Sequence, residues 1–304
     1  AIRIAGLGEC VRRQIPVDAR YRMNVDALRG QVERDREEGL RPWLVIASAG
    51  TTDLGAIDPL DGIGDLCQKE NLWFHIDGAY GAFFVMTEEG REKLKGIEKS
   101  DSLVMDPHKG LFLPYGIGVL LVRNQKHLHE SFYYHANYMQ DAVEVDGEVS
   151  PAEVSPELTT HFRALRMWLP LKLCGTEPFA AGLEEKLLLA RYFHEELGKV
   201  PGFEVGPVPE LSVVTYRYVP EKGDANRFNE ALLKAVLEDG RVFLSSTMID
   251  GKFTLRLAVL AFRTHLETID LTIQILKEKM NRITMLISAK IKIFQALKVN
   301  ASYL

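Results

Sequence analysis

Cysteine is scarce: only Cys10, Cys67 and Cys174 occur in 304 residues, far apart and odd in number. That pattern excludes a disulfide scaffold and shows no paired spacing for a zinc site, so reduced, mostly buried thiols and no metal are expected. Long apolar runs are also missing, none reaching the roughly 18–20 residues that span a bilayer, and the N-terminus has no charged region leading into an apolar signal core. A soluble, cytoplasmic chain with no membrane partner is the expectation. Nor is there a basic block: 37 basic and 42 acidic residues are spread along the chain for a net charge of -5, which argues against nucleic acid as a partner. An initiator methionine is absent too, and an N-terminal portion is expected to precede Ala1.

What is present is an ordinary globular composition, 46% hydrophobic and 26% charged, long enough for two domains or one large one. Val25, Leu28 and Val32 recur at helical spacing within residues 24–38, and Gly39 and Pro42 close the pattern. Residues 43–48 form a short apolar run that suits a parallel strand covered on both faces. A helix over 60–70, then apolar runs at 72–76, 102–105 and 118–122, continue an alternation of strand and helix. Residues 133–154 are aromatic, polar and aperiodic, as in a long functional loop. Helices are expected over 158–173 and 177–197. A different pattern follows: strand 211–218, helix 226–237, strands 242–246 and 253–259, helix 266–283, then a helix-compatible tail over 284–304. The alternation predicts an α/β domain with a mostly parallel sheet, followed by a smaller α+β domain.

In parallel sheets ligand groups gather beyond the carboxyl ends of the strands. Three predicted strand ends carry polar residues: Thr51 and Thr52, Asp77, and His108 with Lys109. Each alone also reads as a turn former, a helix cap or a solvated side chain. Together, a lysine amine and a carboxylate on separate strand ends are the two groups that pyridoxal 5'-phosphate (PLP) demands. The lysine holds its aldehyde, and the carboxylate keeps the ring nitrogen protonated.

The surrounding residues sharpen this. His75-Ile76-Asp77-Gly78-Ala79-Tyr80 and Pro107-His108-Lys109 resemble, in order and separation, the H-x-D-x-A-Y and P-H-K motifs of the group II PLP-dependent amino-acid decarboxylases, the aromatic-L-amino-acid, histidine and glutamate decarboxylase family. The likeness extends to residues 49–58 and 162–168 and runs to about Ile283. It implies the PLP-dependent transferase fold (fold type I). Residues 1–172 would be a partial large PLP-binding domain, 173–283 a small C-terminal domain and 284–304 a helical tail.

The resemblance further implies that Lys109 is the Schiff-base lysine, Asp77 the partner of the ring nitrogen and Thr52 a cofactor contact. Ala79 would lie against one face of the ring. His108 would sit beside the lysine as a catalytic or cofactor contact; a turn histidine bonded to backbone is its alternative. Tyr138 falls where the family has a loop tyrosine that returns a proton to the substrate carbon, or is a loop aromatic anchored in the core. Arg256 would stand on the substrate side, or form an ordinary salt bridge. Gly110 departs from the family, which usually has tryptophan there. The family's cofactor-stacking histidine and phosphate-binding residues precede the point where this chain begins. The implied activity is decarboxylation of an L-amino acid, aromatic or acidic, by a homodimer. A truncated non-catalytic member, or another PLP reaction such as transamination, is the alternative.

Overall fold

The structure, a computed structural model, describes residues 2–133 and 150–301. The first helix, α1 (Val25–Glu37), starts where Asn24 accepts a hydrogen bond from the Ala27 N–H, and it buries Leu28 and Val32. It packs on α2 (Leu60–Glu70), which ends at Asn71 in the left-handed region at φ 52°. Strands β1 (Leu44–Ser48), β2 (Trp73–Asp77) and β3 (Ser102–Met105) pair in parallel in that order, and β4 (Val119–Val122) adds to β3 antiparallel. Two short helices punctuate this sheet, α3 (Glu88–Lys93) and the single turn α4 (Pro107–Gly110), and α5 (Gln125–Phe132) follows β4.

Alternation along the strands decides which side chains meet the helices. Val45, Ala47, Phe74, Ile76, Leu103 and Met105 point into one core with α1 and α2. Their neighbours Leu44, Ile46, His75, Asp77 and Val104 point the other way, and Ile46 is 44% exposed. The expectation of a strand covered on both faces is therefore corrected: among the described residues only one face of this sheet is packed.

Beyond α6 (Leu165–Cys174), helix α7 (Glu177–Gly198) joins the two halves. Its Leu183 and Leu187 belong to the first core, its Leu189, Phe193 and Leu197 to a second. The second core lies against an antiparallel sheet in the order β5-β6-β8-β7, made of Phe203–Val205, Val213–Tyr218, Lys252–Ala258 and Ser245–Ile249 respectively. Helices α8 (Ala225–Asp239) and α9 (Leu266–Ala301) pack together beside it. The chain is thus α/β with a mostly parallel sheet and a separate antiparallel sheet.

Several boundaries differ from expectation. Helix α6 begins at Leu165 rather than at 158, and Leu158 and Phe162 ahead of it stay mostly exposed, so little apolar burial holds that segment helical. Strand β7 runs 245–249 rather than 242–246. The turn Asp250-Gly251, with φ 48° and 72°, pairs Ile249 with Lys252 and so sets the hairpin register. Residues 284–301 continue α9 without a break. No helix among the described residues is long and apolar enough to cross a membrane, and no metal-binding cluster of His, Cys, Asp or Glu occurs among them.

Candidate active site

The ends of β1, β2 and β3 are locked to one another by backbone. After β1, the Ala49 N–H donates to the Asp77 carbonyl at 2.8 Å. After β2, the Gly78 N–H donates to the Val104 carbonyl, and the Asp106 N–H donates to the Ala79 carbonyl at 3.2 Å. Small residues make this approach possible. A Cβ on Gly78 would stand 2.6 Å from the Ala82 Cβ, and one on Gly81 would stand 2.2 Å from the Ala49 carbonyl oxygen.

Behind β1, the buried Asp58 carboxylate accepts from the Met23 and Ser48 N–H groups, each at 2.7 Å. Burial nonetheless holds its proton affinity above the usual carboxylate range, the two amides opposing that rise. Asp58 therefore braces the strand from beneath.

At the end of β2, Asp77 is exposed. Its Oδ1 accepts from the Ala79 N–H at 3.2 Å, while its Oδ2 takes no hydrogen bond among the described residues. Two residues earlier on the same face, His75 Nδ1 meets the Ser102 hydroxyl at 2.8 Å, and the Trp73 indole N–H also donates to that hydroxyl. Loss of water around the half-buried His75 imidazole lowers its proton affinity, against the opposing pull of Asp77.

At the end of β3, Asp106 stands at the N-cap position of α4 without a side-chain capping bond, and Pro107 takes the first position, where no backbone donor is needed. Lys109 is 39% exposed and its ammonium lies 2.9 Å from Asp106 Oδ2. The adjacent His108 donates Nδ1–H to the Ile117 carbonyl at 2.9 Å, since a carbonyl can only accept. Its ring lies against Tyr115, centroids 5.0 Å apart, and its Nε2 is 3.7 Å from Asp106 Oδ2. Gly110 is buried beneath Phe83, whose Cβ would be 2.7 Å from any Cβ there, so the space that a larger residue would claim is already filled.

Thr52 lies in the loop after β1, which closes on itself through the Thr51 hydroxyl and the Ala56 N–H. Arg256 of β8 grips this loop. Its guanidinium donates to the Thr52 carbonyl, to the Asp53 carbonyl at 2.8 Å and to the Ser245 hydroxyl at 3.0 Å.

The structure therefore brings together Asp77, Ala79, His108 and Lys109 on adjoining strand ends, and sets Thr52 against Arg256 one strand away. Tyr138 lies outside the described residues. Sequence reasoning passed over Asp106, although it stands inside the quoted motif three residues before Lys109, the spacing at which side chains meet on a helical turn. It also counted Tyr80 only as part of a motif. In the fold Tyr80 is a buried strut: its hydroxyl accepts from the Ser212 N–H at 2.8 Å and shares a 2.9 Å hydrogen bond with the Ser212 hydroxyl, tying β2 to the start of β6.

A primary amine and an open carboxylate oxygen on neighbouring ends of a mostly parallel sheet define the class, the PLP-dependent proteins of fold type I. The chain belongs to the pyridoxal-dependent decarboxylase family, whose conserved-domain model matches residues 2–219. It is 37% identical over 272 residues to an aromatic-L-amino-acid decarboxylase of Bacillus atrophaeus, covering 88% of this chain and 57% of that protein. To tyrosine decarboxylase 2 of Arabidopsis thaliana it is 31% identical over 290 residues, or 93% of this chain and 53% of that one. A crystal structure of Oryza sativa TDC with PLP and tryptamine superposes with a TM-score of 0.87 at 25% identity, covering 93% of this chain and 60% of that one. The chain thus spans little more than half the length of these relatives.

PLP is the cofactor of this family, and the residues present fit it. The amine of Lys109 is accessible, Asp77 keeps one carboxylate oxygen free for a protonated ring nitrogen, and small residues at 78 and 79 leave room for a flat ring.

Proposed function

We propose that this chain carries the Lys109 side of a PLP-dependent amino-acid decarboxylase acting on an L-amino acid, with Lys109 as the Schiff-base lysine. The observation that supports this most is the placement of Lys109 and Asp77 on adjacent strand ends, held in register by the Asp106–Ala79 backbone bond. When bound, PLP supplies an electron-withdrawing ring that takes up the electron pair left as the carboxylate departs.

The protein's own residues do the rest. Lys109 would supply the amine that holds the cofactor aldehyde. Asp77, through its open oxygen, keeps the proton on the ring nitrogen. Ala79 offers a small face against the ring, and Thr52 a hydroxyl at the β1 end. His108, fixed by the Ile117 carbonyl, presents Nε2 beside Lys109, which supports a cofactor or substrate contact. Arg256, already gripping the Thr52 loop, retains N–H donors for a substrate-side contact. Aromatic-L-amino-acid, tyrosine and tryptophan decarboxylases among the relatives, beside one acidic amino acid decarboxylase, favour an aromatic substrate over an acidic one.

We read residues 1–172 and 173–283 as the large and small domains of that enzyme, with α7 packed into both cores. A homodimer is part of the same reading. Its support is the apolar face of α6, where Trp168 is 56% exposed beside Leu165, Leu169 and Leu173.

The test is the visible spectrum of the chain with added PLP, before and after borohydride reduction, with Lys109→Ala alongside. An absorption band that reduction converts into a stable adduct on the Lys109 peptide, and that the variant lacks, is expected; carbon dioxide release from L-amino acids is then measured. A band that survives in Lys109→Ala would overturn the assignment.

A further inference from the structure

We propose that Asp106 is the positioning residue of this site, a second carboxylate, separate from Asp77, that aims the Lys109 amine and governs its readiness to react. The inference rests on the reading of Lys109 given above and adds a residue to it.

Two carboxylates stand at neighbouring strand ends, and the lysine selects one. Lys109 Nζ is 2.9 Å from Asp106 Oδ2, whereas Asp77 has no cationic partner among the described residues. Such a division suits the chemistry: one carboxylate steadies the amine, and the other stays open for the ring nitrogen.

An exposed ion pair is ordinarily worth little, because two long side chains must be immobilised to form it. Here the backbone that carries both side chains is already fixed. The Asp106 N–H is bound to the Ala79 carbonyl, and the Asp106 carbonyl accepts from the N–H groups of Lys109 at 2.9 Å and Gly110 at 3.3 Å. Pro107 fixes the next φ and is buried. Only the side-chain torsions remain to be set, and the two side chains share a single turn, three residues apart.

Other charges near the pair do not replace it. His108, with Nδ1–H committed to the Ile117 carbonyl, turns a lone pair at Nε2 toward Asp106 while the ring is neutral, and only its protonated form can donate across the 3.7 Å. Arg166 of α6 donates to the Tyr115 carbonyl at 3.1 Å. Asp77 reaches this region from β2 through Ala79. While the imidazole is neutral, Lys109 is thus the cation that balances Asp106.

An amine held against a carboxylate is not free to attack, and only a free amine is a nucleophile. Neutralising Asp106 should therefore make Lys109 more reactive at a given pH. For a pair this exposed, about two- to fivefold is expected, the factor that corresponds to the upper part of the range for exposed ion pairs.

The experiment is competitive acetylation of the cofactor-free chain by acetic anhydride from about pH 6 to 10. The Lys109 peptide is read by mass spectrometry against exposed Lys222 as internal reference. Wild type, Asp106→Asn and Asp106→Glu are compared, and wild type is repeated in about 1 M salt, where screening shortens to about 3 Å. The expected result is faster Lys109 labelling in Asp106→Asn, near-wild-type labelling in Asp106→Glu, and faster labelling of wild type in salt. Coincident profiles for all three proteins, or no salt effect on wild type should Asp106→Asn not fold, would overturn the proposal. Borohydride fixation of PLP separates the two readings. An adduct on a lysine other than Lys109 removes the cofactor assignment, whereas an adduct on Lys109 with unchanged labelling profiles removes only Asp106.

Discussion

Replacing Tyr80 by phenylalanine isolates one hydroxyl that ties the end of β2 to the start of β6. In the wild type that hydroxyl accepts from the buried Ser212 N–H at 2.8 Å and pairs with the Ser212 hydroxyl at 2.9 Å. Both residues are buried, Ser212 completely. Burial pushes the phenol up to about 12, its bonds to Ser212 opposing that rise, so it stays protonated through the working pH range. Phenylalanine keeps the ring, which closes against Gly50, where a Cβ would be 2.7 Å from Tyr80 Cδ1. Packing is therefore retained, and the loss is the bond. A buried N–H left without an acceptor costs about 1–3 kcal/mol, and that is the expected fall in unfolding free energy. Ser212→Ala removes only the weaker partner and leaves the N–H bonded, so about 0.5–1.5 kcal/mol is expected there. Urea unfolding followed by tryptophan fluorescence measures both, with an unchanged slope on denaturant showing that the same surface is exposed. A Tyr80→Phe protein within about 0.5 kcal/mol of wild type would refute the strut.

Two further outcomes follow from the same structure. The His75 imidazole is pushed below its ordinary value of 6.5 by loss of water, so folding favours the neutral ring. Its contribution to stability is full above the unfolded value and declines as pH falls through it, because the unfolded chain takes up the proton first. The urea midpoint should drop between about pH 7.5 and 5.5 more steeply in wild type than in His75→Gln, and equal slopes would sink the idea. If α6 forms the contact between copies, sedimentation should give twice the mass of one chain, and Trp168→Asp should shift it toward one. A wild-type mass of one chain would count against the dimer.

Local signals in the chain were enough for most of the first sheet. Asn24 and Gly39 bracket α1, the run at 102–105 becomes β3 residue for residue, and the motif His75 to Tyr80 falls at the end of β2 as its residue types require. Short apolar runs bounded by turn formers state their element plainly, and strand-end polar residues follow from that. The start of α6 and the register of β7 were not legible in the same way. The first depends on whether Leu158 and Phe162 find a partner, and the second on the Asp250-Gly251 turn.

The site divides along the same line. Residue types and order by themselves determined the family, its cofactor, and the candidacy of Lys109 and Asp77, because an amine and a carboxylate at two strand ends are a chemical demand expressed in sequence. Tertiary structure alone decided that Phe83 fills the space above Gly110 and that Arg256 grips the Thr52 loop. Those facts depend on atoms brought within a few ångströms by packing between elements distant in the chain. No local pattern encodes such distances.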